Sequence, residues 1–242
     1  MNLTYSFFFL PLSFFLIQSI FHYHYRQSFF LNFLLFPKLS HFYFILFFFF
    51  LFSKVLAYLE KRFEKNNRKL TIITQNVDEL HRVAGTKNII EIHGTLYKTR
   101  CTKCGHVCEN RDNPIVQSLS NVSLNDTDRK KITLEDLPRC LQNNCKGLLR
   151  PHIVWFNEYL AKEDVTSANH IIDQCDLMLV IGTSSVVYPA AMFASTASKR
   201  GITVAEFNLE PTQASQNTNS FFFQGQCGET LPKALGIDVN EL

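Results

Sequence analysis

At 242 residues and a formal net charge of +3, the chain is long enough for one large domain or a domain with a small module. It is too weakly basic to signal a nucleic-acid partner. Its seven cysteines, an odd number, fit a reducing compartment better than a secreted disulfide framework. The averages hide two unlike stretches. Residues 1–53 carry 17 of the 24 Phe and contain no Val, Ala, Asp, Glu or Gly, whereas residues 54–242 have ordinary globular composition.

Within the first stretch, residues 3–21 and 29–52 are apolar enough, and long enough, to span a bilayer. Neither a secretory signal nor a matrix-targeting peptide is legible. There is no basic start, no small-residue cleavage site, and almost no Arg. A second reading competes with a membrane anchor. The five missing residue types are those whose codons begin with G. Their joint absence, with Phe runs ending at Phe52, has the look of translated pyrimidine-rich non-coding DNA over residues 27–53. A retained intron ending just before Lys54 would produce it.

The second stretch begins with a predicted buried strand at Leu70–Thr74, a β-branched run followed by Gln75-Asn76-Val77-Asp78. Next come Cys101-x-x-Cys104 and, about forty residues later, Cys140-x-x-x-x-Cys145. Two close pairs, each offering two thiolates from one tight turn, predict a tetrahedral zinc site with the ligands Cys101, Cys104, Cys140 and Cys145. Four protein thiolates leave no open position, so the zinc is structural. A second apolar strand is expected at Leu177–Ile181, ending in Gly182-Thr183-Ser184-Ser185, with a helix from Pro189 to Lys199. A third strand follows at Ile202–Phe207, ending in Asn208-Leu209-Glu210.

Continuously apolar strands with helices between them predict a Rossmann-like α/β fold: a parallel sheet covered on both faces, with the four-cysteine module inserted at about 95–150. Ligands of such sheets sit at the carboxyl ends of the strands. All three strands end there in small or hydrogen-bonding residues, which points to a nucleotide.

The ordered motifs TQNVDELHRVAG (Thr74–Gly85), EIHG (Glu91–Gly94), the two cysteine pairs, LRPHIVWFNE (Leu149–Glu158), GTSSVVYPAA (Gly182–Ala191) and EFN (Glu206–Asn208) resemble the sirtuin family over residues 54–242. The wording is most similar to the class III group, the mitochondrial type that removes succinyl, malonyl and glutaryl groups from lysine. The resemblance implies an NAD-dependent protein deacylase in which the acyl group ends on ADP-ribose, and it implies acylated lysine proteins or peptides as partners. It implies His93 as general base, a task that suits an imidazole titrating near neutral pH. Gln75, Asn76, Val77 and Asp78 would face the nicotinamide and its ribose. Gly182, Thr183 and Ser184 would approach the phosphates and ribose of NAD. Asn208, Leu209 and Glu210 would meet the adenosine ribose, and the backbone of Cys227 the adenine. Val154, Trp155 and Phe156 would pair with the substrate peptide as an added strand. The family usually has Gly where this chain has Asn157. Tyr23 and Arg26, in FHYHYRQ, resemble the pair that recognises acidic acyl chains; an Arg fork and a Tyr hydroxyl suit a carboxylate. Localisation, by resemblance, is mitochondrial, with cytosol and nucleus also open.

Sirtuins begin with a strand, a Gly-rich turn and a helix that cradle the pyrophosphate. This chain has no Gly before Gly85. The expectation is an incomplete catalytic domain with its first βα unit missing, an unpaired sheet edge and weakened NAD binding. The alternative function is a catalytically impaired, membrane-tethered binding protein. A lone zinc module that reads nucleic acid is disfavoured by the three strand-end loops and the weak charge.

Overall fold

The computed structural model describes residues 40–120, 132–216 and 219–242. Residues cluster into two contact units, 1–46 with 116–137, and 47–115 with 138–242. Among its described residues, the first unit holds short 3-10 turns at Gln117–Leu119 and Leu134–Asp136. A reciprocal cap closes the second turn: Asp136 accepts from the backbone N–H and the hydroxyl of Thr133.

The second unit carries every strand of the described residues. Helix α1 (Ser40–Glu64) runs across the compositional boundary at 53/54. Its positions Phe52, Val55, Leu56 and Leu59 repeat at the i, i+3, i+4, i+7 spacing of one helix face, and all four are buried. Strand β1 (Ile72–Thr74) pairs in parallel with β2 (Ile89–Glu91), joined by the one-turn helix α2 (Leu80–Ala84). Antiparallel strands β3 (Gly94–Cys101), β4 (Val107–Glu109) and β5 (Leu149–Ile153) form a ribbon in the order β4-β3-β5. Helix α3 (Lys162–Gln174), strand β6 (Leu177–Ile181), helix α4 (Met192–Lys199), strand β7 (Thr203–Asn208), strand β8 (Ser220–Gln224) and helix α5 (Cys227–Leu235) complete the unit. Strands β6, β7 and β8 make a second parallel sheet with β7 in the middle.

Side chains of β7 alternate between two cores, as the two-residue period of a strand requires. Ala205 and Phe207 join the α1 face, Ile72, Leu231 and Ile237. Val204 joins Ile92, Val180, Ala168 and Ile172 of α3, and Phe193, Ala194 and Ala197 of α4. Helices therefore cover both faces of β6-β7-β8, the α/β arrangement expected from the sequence. Each core takes residues from β6-β7-β8 and from the β1-β2 region. Burying a side chain of the Phe207 or Leu231 type contributes about 1.5–3 kcal/mol.

The observed bounds shift by one to three residues from expectation. β1 starts at Ile72 rather than Leu70, β7 spans Thr203–Asn208, and α4 begins at Met192 after a turn that includes Pro189. The larger difference is that β1 does not share a sheet with β6 and β7. Ile72 N–H and Thr74 C=O bond toward β2, so Ile73 points its backbone groups to the other edge. Among the described residues no strand pairs with that edge of β1, or with the edge of β6 away from β7. Two short parallel sheets stand where one was expected, because no described strand bridges those two edges. No helix among the described residues is long and apolar enough to cross a membrane.

Candidate NAD and acyl-peptide site with its zinc module

The four cysteine sulfurs all lie within 4.8 Å of one another. Cys101 Sγ is 3.7 Å from Cys145 Sγ, and Cys104 Sγ is 3.8 Å from Cys140 Sγ. A tetrahedron with Zn–S bonds of about 2.3 Å has edges of about 3.8 Å, so the donor set fits zinc. The backbone N–H groups of Lys103 and Cys104 donate to Cys101 Sγ at 3.3 and 3.4 Å. The Cys104 N–H is the main reason that the Cys101 thiol is pulled down to about 6, which favours the thiolate a metal needs. Gly147 is a part of this site that sequence reading missed. A Cβ added there would lie 2.7 Å from Cys101 Sγ and 2.7 Å from Lys103 Cβ. The available signal was its place two residues after Cys145.

The loop after β1 is pinned from several sides. Asn76 N–H donates to Thr74 Oγ1 (3.1 Å), and Leu80 N–H donates to Asp78 Oδ1 (3.0 Å). Leu96 N–H of β3 donates to Val77 O (3.1 Å). Burial pushes the Asp78 carboxyl upward, against the lowering effect of its Leu80 N–H. Glu79 sits at φ +57, an uncommon conformation for a non-glycine residue. It is held there by Thr95 Oγ1 at 3.1 Å and the Arg111 guanidinium at 2.8 Å.

His93, half-buried in the turn between β2 and β3, has Nδ1 3.2 Å from Gln75 O. Its own carbonyl accepts from Val154 N–H at 2.9 Å. One residue thus joins the loop after β1 to the start of the Val154–Phe156 segment. Burial lowers the His93 imidazole, partly offset by the Gln75 carbonyl. With Nδ1–H donating to that carbonyl, Nε2 is left as the acceptor.

Trp155 and Phe156 are exposed, at 51% and 88%. The Arg150 guanidinium lies 3.8 Å from the Trp155 ring centroid. It also forms a two-pronged ion pair with Glu158 at 2.5 and 2.9 Å, which holds the Glu158 carboxyl down to about 2. Glu158 accepts Trp155 N–H at 3.0 Å, closing the turn. Asn157 occupies φ +68; Asn tolerates this left-handed conformation better than other side chains.

The loops after β6 and β7 meet the loop after β1. Gln75 Nε2 donates to Thr183 Oγ1 at 3.3 Å. Gly182 N–H donates to Phe207 O at 3.0 Å. Asn208 Nδ2 donates to Thr183 O at 2.7 Å, and its Oδ1 accepts Leu209 N–H at 2.9 Å. Ser184, Leu209 and Glu210 are exposed at this rim. Cys227 opens α5 with its thiol against the α1 core, and burial pushes that thiol up. Gln75, His93, Thr183, Asn208 and Val154 are thereby linked by direct hydrogen bonds into one constellation. Tyr23 and Arg26 lie outside the described residues.

The profile of the Sir2 family matches residues 33–189. The chain is 51% identical over 189 residues to the Xenopus laevis NAD-dependent protein deacylase sirtuin-5B, mitochondrial, covering 77% of this chain and 61% of that protein. It is 53% identical over 182 residues to sirtuin-5 of Canis lupus familiaris, covering 74% and 58%. The chain therefore spans about three fifths of the length of these curated relatives. Among solved structures, a Sir2 homolog–NAD complex superposes with a TM-score of 0.60 at 30% identity, covering 78% of this chain and 64% of that one. A Sir2 protein bound to a propionylated peptide superposes with a TM-score of 0.61 at 27% identity, covering 78% and 71%. The family profile covers well over half of the sequence: the chain belongs to the Sir2 family.

Proposed function

We propose that this chain carries an NAD-dependent protein-lysine deacylase site directed at acidic acyl groups (succinyl, malonyl and glutaryl). The observation that supports it is the place of His93, hydrogen-bonded on one side to Gln75 of the first strand-end loop and on the other to Val154 of the peptide segment. NAD supplies the electrophilic ribose carbon when bound. Gln75, Asn76 and Asp78 would hold the nicotinamide end through amide and carboxyl groups, with Val77 in the same loop. Gly182, Thr183 and Ser184 would face phosphate and ribose. Asn208, Leu209 and Glu210 would line the adenosine ribose, and Cys227 would offer backbone toward adenine. His93 Nε2 would accept a proton from a ribose hydroxyl. A peptide would add as a strand along Val154, Trp155 and Phe156. Tyr23 and Arg26 would bind the acyl carboxylate, and zinc on the four cysteines would hold the β3-β4-β5 ribbon. The sirtuin-5 relatives are named mitochondrial, and we assign the same compartment to this chain.

The test is incubation of the full chain with NAD and a succinyl-lysine peptide, read by mass spectrometry. The expected result is free nicotinamide, O-succinyl-ADP-ribose and deacylated peptide, all lost on His93→Ala. Absence of nicotinamide release from the folded, zinc-loaded protein would overturn the enzymatic reading. A second reading, an acyl-peptide binding protein without turnover and tethered to a membrane through the Phe-rich segment, is favoured by one observation. The edges of β1 and β6 lack strand partners among the described residues. Peptide binding with no NAD consumption would select it.

A further inference from the structure

Glu206 is fully buried in β7, the middle strand of its sheet, and among the described residues it has no ion-pair partner. Its contacts are all donors. Oε1 accepts the Thr212 hydroxyl at 2.7 Å and Asn208 Nδ2 at 3.3 Å; Oε2 accepts Thr212 N–H at 3.3 Å. Both donor residues lead on to the loop after β6. Asn208 passes its second N–H to Thr183 O at 2.7 Å. Thr212 Oγ1 accepts Ala214 N–H at 3.2 Å and lies 3.2 Å from Ser185 Oγ. With the single Thr212 proton committed to the carboxylate, the Ser185 hydroxyl is the donor of that contact. Ser185 is itself buried at φ +55, a conformation that needs such support.

We propose that Glu206 is a positioning residue that sets the geometry of the nucleotide-facing loops 183–185 and 208–212; this rests on the NAD reading above. Ser184 is exposed between two residues tied to the Glu206 network, Thr183 through its carbonyl and Ser185 through its hydroxyl, so the network fixes where Ser184 sits. The side chain does not reach the surface, so it would act only through the loops it holds. A polar network in a low-dielectric interior is costly when one member is removed, because the remaining donors stay buried and unpaired. Gln in place of Glu would turn an N–H toward donors it cannot satisfy. Thr212→Ser keeps the hydroxyl, and Thr212→Val removes it.

The experiment measures ADP-ribose affinity of the full zinc-loaded chain by calorimetry, alongside amide exchange of the unliganded protein. Glu206→Gln and Thr212→Val are expected to weaken ADP-ribose about tenfold, the size of one or two net hydrogen bonds. They are expected to raise exchange in 182–186 and 208–214 while α1 and β6 stay protected. Thr212→Ser restores both. Unchanged ADP-ribose affinity in Glu206→Gln, or exchange raised evenly through the core, would overturn the proposal and leave Glu206 a structural residue. If the wild-type chain binds no ADP-ribose, the NAD reading fails on its own. The exchange data then decide the tether, which stands if loosening is confined to the two segments and falls if it is absent.

Discussion

The zinc module and the strand-end site both gather polar groups from distant parts of the chain, but they are held in opposite ways. In the module, each pair of ligands comes from one short turn, and the four sulfurs gather within 4.8 Å of one another, with two N–H groups on Cys101. At the strand ends, Gln75, His93, Thr183 and Asn208 come from four separate elements and meet through single hydrogen bonds. A metal centre of the first kind fails all at once when one ligand goes. A site of the second kind degrades by degrees, because each bond contributes only about 0.5–1.5 kcal/mol.

The sharpest way to break the comparison is Cys140→Ser. Structural zinc sites contribute about 10–16 kcal/mol in small peptides, so bound zinc by elemental analysis falls to background and amide protection is lost across β3, β4 and β5. Retained zinc in this variant would show that the module does not depend on all four thiolates. Next in size, on the deacylase reading proposed above, is His93→Ala, which would lower deacylation by about 10²–10⁴-fold with a thermal midpoint close to wild type, since the ring is only partly buried. Because burial lowers the His93 pKa, the acid limb of the rate profile should lie below the ordinary His value of about 6.5. An acid limb above that value would point to another group.

Two smaller effects sharpen the contrast. His81 is buried against Phe52 with Nδ1 unpartnered, and burial lowers it to about 4. Its folded pKa lies below the unfolded value of about 6.5. The unfolded chain therefore takes up the proton first. The stability associated with the neutral ring is present above about pH 6.5 and is lost as pH falls toward about 4, by about 3 kcal/mol in all. Urea melts from about pH 7 to about pH 4 measure it, and His81→Phe should flatten that part of the slope. Gly147→Ala places a methyl against Cys101 Sγ. The shift forced on one ligand should weaken zinc by about 10–100-fold in a chelator competition; an unchanged affinity would mean that the turn moves without cost.

Much of the site is legible in the chain alone. The cysteine pairs announce a metal through spacing, and the three strand-end motifs announce a ligand through their place after apolar runs. Other features are hidden for physical reasons. Gly147 matters through a contact with Cys101, far back in the chain. Thr212 looks like any loop threonine until Glu206 is seen beneath it. Asn157 reads as a departure from Gly, while its backbone at φ +68 lies in the left-handed region that Gly and Asn both tolerate.

By itself the sequence determined the local chemistry: which runs form buried strands, which cysteines could hold a metal, and which motifs carry the resemblance. Periodicity and spacing are properties of the chain itself. Only the tertiary structure decided how those pieces meet. It put β1 and β6 in separate sheets, packed Phe52 and Leu59 of the Phe-rich helix into the same core as Phe207, and brought His93 between Gln75 and Val154. Pairing and packing join residues far apart in the chain, and which partners satisfy a buried donor or an open strand edge is settled only when all the elements are in place.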